Sequence, residues 1–193
     1  VYFANLYDMK NMSKFNMQAL AYHEGIPGHH MQISIAQELE NIPKFRLYGG
    51  FTVFNEGWAL YSEAIPKELG FYTDPFSDFG RLAGELYRAC RLVVDTGIHA
   101  KKWSRERAIE YMNNNVPHSK NYNVRQIERY IVMPSQATAY KIGMIKIQEL
   151  RELAESSLGD IFDIRGFHDV VLKNGSVTMP ILESNVKKWI KNQ

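Results

Sequence analysis

Apolar positions recur along this chain at the spacing of helices. The last segment shows it most simply. Leu182, Val186 and Ile190 fall at four-residue spacing and Pro180 stands near the first turn, so a helix is predicted from Pro180 to Ile190. Leu82, Leu86, Ala89, Val93 and Ile98 recur at roughly helical spacing and predict a long helix, opened by Asp74-Pro75 and reaching about Ile98. Shorter helices are expected from Ser104 to Asn113, from Asn123 (with Gln126 at the capping-box position) to an interruption at Pro134, from Ser135 to Leu158 with Gly159 as C-cap, and from Phe162 to Leu172. Pro43 and Gly49-Gly50 punctuate a loop over 41–50. After it a helix is predicted from Phe51 to Leu69, kinked or ended early by Pro66.

The first forty residues read differently. Tyr2 to Leu6 suits a short edge strand, and Asn11-Met12-Ser13 suits a cap for a helix from Lys14 to Glu24. The helical pattern breaks at Pro27-Gly28 and resumes from His29 to about Leu39. Pro27 has no N–H to give the His23 carbonyl, and its ring would clash there in a regular helix. No internal repeat, low-complexity tract or long linker divides the chain, so one all-α domain is expected over 1–193.

Composition narrows the classes. With 193 residues and 45% apolar content the chain can bury a sizeable core. The net charge is +2, and no basic block with interleaved aromatics marks a nucleic-acid partner. The lone cysteine, Cys90, excludes an internal disulfide and reads as packing. No apolar run is long enough for a membrane-spanning segment. The chain opens on Val1 with its most chemical stretch close behind. That suggests a piece of a longer protein, whose N-terminal half would complete the cleft.

The chemistry lies in His23-Glu24-Gly25-Ile26-Pro27-Gly28-His29-His30. A zincin motif places two histidines four residues apart on one helix face, with a glutamate after the first. Here the second histidine comes six or seven residues on. A regular helix turns about 240° over six residues and about 700° over seven, and seven leaves roughly 10 Å of axial separation. His29 therefore needs a bulge to reach the ion held by His23, and Pro27-Gly28 supplies one. His23 and His29 are favoured as ligands of Zn2+, with His30 the alternative. Glu24 is the expected general base. Glu56 is the third ligand, and Glu63, seven residues later on the same face, would hold a ligating imidazole or replace Glu56.

Further candidates are less tied to the motif. His99 follows Asp95 by four residues and could serve substrate or oxyanion. Tyr140 could stabilise an oxyanion, with Gln136 nearby as a donor. Arg88 and Arg91 could pair with a substrate carboxylate, Arg165 and His168 could line a cleft, and His118 reads as solvated.

His23-Glu24-x-x-Pro27-Gly28-His29, His30-Met31-Gln32 and Glu56-Gly57-Trp58-Ala59-Leu60-Tyr61-Ser62-Glu63 together resemble the hallmarks of a bacterial family catalogued as domain of unknown function 885. The resemblance continues through 88–99, 134–143 and 162–169 and covers nearly the whole chain. It implies a zincin-like, all-helical metallopeptidase fold, of which this chain matches the C-terminal catalytic portion. It implies peptide substrates and strengthens the role given to Tyr140. Family members with export or lipoprotein signals leave the compartment open. The function expected is zinc-dependent hydrolysis of a peptide bond. A non-peptide amide or ester hydrolase, and an inactive helical interaction domain, are the alternatives.

Overall fold

In the computed structural model the described residues are 9, 13–40 and 42–193. The strand expected at Tyr2–Leu6 and the capping residues Asn11 and Met12 lie outside them. Ser13 does cap: its Oγ accepts from the Phe15 N–H at 3.2 Å, ahead of a 3₁₀ turn over Lys14–Asn16. The chain then forms α1 (Met17–Glu24), α2 (His29–Glu38), α3 (Lys44–Tyr48), α4 (Thr52–Ser62), α5 (Ile65–Glu68) and α6 (Pro75–Lys101). It continues through α7 (Arg105–Asn115), α8 (Lys120–Val132), α9 (Ala139–Leu158), α10 (Ile164–Leu172) and α11 (Met179–Lys191). No strand occurs among the described residues. The all-α expectation holds over them.

Local chemistry sets most of the boundaries. The Asp74 carboxylate accepts from the Phe76 and Ser77 N–H groups and starts α6, and Ser104 accepts from Arg107 and starts α7. Ser119, accepting from Tyr122, caps α8. Asn123, read as the start of that helix, is instead buried, and its Nδ2 donates to Asn113 Oδ1 at 2.9 Å. Pro134 ends α8 as expected. The following Ser135 takes φ +69° and a 3₁₀ turn over Gln136–Thr138 delays α9 to Ala139. The loop read over 41–50 contains the short α3. Pro66 falls inside α5, a separate turn after α4, and Gly70 closes it at φ +77°.

Two cores meet along the chain. One gathers Phe54 and Trp58 of α4, Ile147 of α9, Phe167 of α10 and Leu182 and Val186 of α11. The other gathers Val94, Ala108, Met112, Ile127 and Tyr130 from α6, α7 and α8. The α4–α9 crossing is the tightest. A Cβ on Gly57 would lie 2.5 Å from Gly143 Cα, and one on Gly143 would overlap the Val53 carbonyl oxygen.

The long helix forms as expected, but not all the apolar residues that predicted it face inward. Leu82, Leu86 and Val93 are 51%, 47% and 38% exposed, whereas Ala83, Tyr87, Cys90, Val94, Arg91 and Asp95 are buried. The inner face is made of small and polar residues. Gly80 abuts the Phe15 backbone and Gly97 abuts the Trp103 ring. Of the inward polar residues, Arg91 lines the cleft and Asp95 accepts from the Ser135 N–H. Among the described residues no helix is long and apolar enough to cross a membrane.

Candidate metal centre

The break between α1 and α2 carries out the turn that helical arithmetic requires. α1 ends at Glu24, and the Gly28 N–H donates to the Tyr22 carbonyl at 3.0 Å, folding the connection back over the last turn. A side chain at 28 would overlap the His23 and Tyr22 carbonyl oxygens, so this fold-back needs glycine. The Ile26–Pro27 peptide is cis, and the Pro27 carbonyl accepts from Trp58 Nε1 at 2.9 Å. Gln32 of α2 donates to Asn55 of α4 at 3.2 Å. These two bonds hold the broken helix against α4, the element that carries Glu56.

His23, His29 and Glu56 converge, each offering a ligand atom within 4.8 Å of the others. Glu56 Oε2 lies 3.2 Å from His29 Nε2 and 3.7 Å from His23 Nε2. Donor atoms around a tetrahedral zinc, each about 2.0–2.1 Å from the ion, stand about 3.3 Å apart. The spacing here brackets that value. His23 Nδ1, on the far side of the ring, donates to Glu63 Oε1 at 2.8 Å, which leaves Nε2 with its lone pair towards Glu56. His23 and Glu63 are almost wholly buried, and Glu63 Oε2 has no hydrogen-bond partner. His30 is exposed and stands outside the cluster.

The electrostatics fit a cation. Burial alone would lower the His23 pKa, but the neighbouring Glu56 carboxylate and the hydrogen bond to Glu63 outweigh it and raise it. Burial alone would raise the Glu56 pKa, yet the neighbouring His23 and His29 imidazoles bring it down to about 2. Two carboxylates here demand positive charge. Imidazolium can supply it, and so can a divalent ion between neutral imidazoles. The donor set, two imidazole nitrogens and one carboxylate, is of the kind that holds catalytic zinc.

The chain matches a family model over residues 1–186. It belongs to the family described as bacterial protein of unknown function (DUF885). Two solved structures are similar to it. One is described as the putative lipoprotein from Colwellia psychrerythraea, at 50% identity and TM-score 0.96, with 100% of this chain and 33% of that one covered. The other is described as a putative lipoprotein of unknown function from Shewanella oneidensis, at 26% identity and TM-score 0.82, with 89% of this chain and 31% of that one covered. The DUF885 chain thus spans about a third of the length of these relatives. No curated protein matches it.

Other residues of the DUF885 chain divide between the cleft and the scaffold. Glu24 is exposed and lines the cleft with His23, Glu63 and Tyr140. The Tyr140 ring stacks on His23 with centroids 6.3 Å apart, and its hydroxyl accepts from Gln136 Nε2 at 3.3 Å. Asp95 does not reach His99. Its carboxylate accepts from the Ser135 N–H at 3.1 and 3.2 Å, while His99 Nε2 lies 2.9 Å from the Tyr130 carbonyl oxygen. His99 is exposed and does not line the cleft, so its position is that of a tie between α6 and α8. Arg165 is exposed and pairs with Asp163. His168 shares a 2.9 Å hydrogen bond with the Tyr61 hydroxyl behind α4. His118, read as solvated, lines the cleft instead, with Tyr87 and Tyr122 packed on it at 4.7 and 4.9 Å. Its signal was an apolar-aromatic environment brought from α6, which sequence spacing does not expose.

Proposed function

We propose that the DUF885 chain carries the metal-binding site of a zinc-dependent hydrolase of peptide bonds. The observation that supports this best is the convergence of His23, His29 and Glu56, with Glu63 fixing His23 from behind and Glu24 free in the same cleft. Zinc bound there would supply Lewis acidity, polarising a substrate carbonyl and lowering the pKa of water. His23 and His29 would bind through their Nε2 atoms and Glu56 through Oε2. Glu63 keeps His23 in the Nδ1–H tautomer, so that Nε2 is always the atom presented.

Glu24 takes the proton from the attacking water at its carboxylate oxygen and delivers it to the departing amine nitrogen. Tyr140 already accepts from Gln136, so its own hydroxyl hydrogen is free to donate to the carbonyl oxygen as charge builds there. Of the ligand set, His23 lines the cleft, and the remaining length of the relatives could add to its walls. The test is metal content and peptide hydrolysis in the full-length protein and its Glu24→Gln variant. The expected result is about one equivalent of zinc in both and a rate loss of at least roughly 100-fold in the variant. Full activity of the variant, or zinc bound equally well by a His23→Ala, Glu56→Gln double variant, would sink the reading.

A further inference from the structure

Beyond the metal cluster the same cleft, about 440 Å³ in volume, turns cationic. Arg88 and Arg91 of α6, Arg129 of α8 and His118 line it. Arg91 is 5% exposed, yet among the described residues no carboxylate pairs with it. Its Nη2 donates to Gln136 Oε1 at 3.1 Å, and its guanidinium lies 4.2 Å from the Tyr140 ring centroid. Tyr87 and Tyr130 complete an aromatic surround at 5.5 and 5.3 Å. Three buried polar atoms here have no hydrogen-bond partner: Arg91 Nε, Arg88 Nε and His118 Nδ1. A full positive charge held by neutral groups and rings, with unsatisfied nitrogens beside it, is a costly arrangement unless something else arrives.

The cleft's own carboxylates do not reach Arg91, although Glu63 pairs with Arg88. Glu63 is bonded to His23, with Arg88 Nη2 3.6 Å from its Oε1, and Glu24 is exposed. Arg88 also donates to the Gly84 carbonyl at 3.2 Å, which fixes it against its own helix. Burial and the nearby Arg88 charge lower the His118 pKa, so the imidazole adds a hydrogen-bonding group without a further charge. From His23 to Tyr140 to Arg91 the groups are consecutive neighbours, so an anion held here lies close to a bond being cut at the metal.

We propose that Arg88, Arg91 and Arg129 form a carboxylate-binding subsite, so that the substrates are peptides carrying a carboxylate next to the scissile bond. The proposal rests on the hydrolase reading for what is cut, but not for what is bound. Guanidinium forks match carboxylate geometry, and a charge-assisted pair at buried Arg91 is the strong kind of hydrogen bond, with exposed Arg129 at the rim. Two sources fit: a free C-terminus, or an aspartate or glutamate side chain.

The experiment is calorimetric binding to zinc-loaded and zinc-free full-length Glu24→Gln protein, in which turnover does not intervene. The probes are an N-acetylated tetrapeptide of neutral residues, its C-terminal amide, and the same amide ending in glutamate. The carboxylate-bearing probe that matches the source, the free acid for a C-terminus or the glutamate-ended amide for a side chain, should bind at least about tenfold more tightly than the neutral amide. Arg88→Gln and Arg129→Gln should each shrink the acid-to-amide ratio severalfold, and Arg91→Lys, which keeps the charge but loses the fork, should shrink it too. A variant that merely loosens the fold weakens acid and amide alike and leaves the ratio unchanged. Equal binding of all three probes, or a ratio untouched by both Arg→Gln changes, overturns the subsite. Absence of hydrolysis by the unsubstituted full-length protein, with an intact ratio, would count against the hydrolase reading alone.

Discussion

Glu63 shows how one side chain can govern a site it does not itself complete. It is 2% exposed, binds His23 Nδ1 at 2.8 Å and thereby decides which imidazole nitrogen faces Glu56. Glu63→Gln preserves shape but removes the charge that polarises the ring. Zinc affinity of the full-length protein should fall about 10- to 100-fold, read by competition with a chromophoric chelator. His30→Ala should leave that affinity unchanged, because His30 is exposed outside the cluster. At this scale the sequence was informative where chemistry is local. The six-residue spacing and the Pro-Gly insertion pointed to His29 over His30, and the structure brings His29 to Glu56. It was uninformative for His99 and His118. Their partners, the Tyr130 carbonyl and the rings of Tyr87 and Tyr122, come from other helices.

Among the helices, the α4–α9 crossing controls the placement of Glu56. Gly57, adjacent to Glu56, meets Gly143 with no space for a Cβ on either side. Gly143→Ala forces the new methyl onto the Val53 carbonyl, and the helices must part. The expected cost is about 1–3 kcal/mol, measured as a lowered denaturant midpoint. An unchanged midpoint would mean that the crossing is looser than the structure shows. The glycines are plain in the sequence, but their pairing is not, because it depends on where two helices cross. The inner face of α6 is hard to read from sequence for a related reason. Its contacts with the Phe15 backbone and the Trp103 ring are made by glycines, which carry no hydrophobic signal, so periodicity followed the exposed leucines.

For the molecule as a whole, one source of acid sensitivity is the way half-buried His168 is held. His168 accepts from the Tyr61 hydroxyl, which in turn accepts from Arg151 Nη1 at 3.3 Å. Burial, reinforced by the Arg151 charge, lowers the His168 pKa from 6.5 to about 4. The unfolded chain gains this proton as pH falls through about 6.5, and the folded chain gains it only near 4. Stability at this residue is therefore complete above that window and is lost as pH drops through it. The loss should be about 2 kcal/mol once partial exposure is allowed for. His168→Gln should flatten the dependence of the urea midpoint between pH 6.5 and 4, and an undiminished slope would show that His168 is not its source. The helical class and most of the order of elements were legible from apolar spacing, caps and prolines, though α3 and the separate α5 were not. The meeting of two cores around one cleft was not, since it depends on contacts far apart in sequence.

The fold-back at Gly28 also bears on how such chains diverge. Ile26 is 65% exposed and is free to vary, whereas any side chain at 28 would collide with backbone that no rotamer change can move. A homologue that kept both histidines and the glutamates but replaced this glycine would have to re-route its backbone here. Residue 28, which offers no atom to an ion, is thus a sharper marker of an intact site in a distant relative than overall identity.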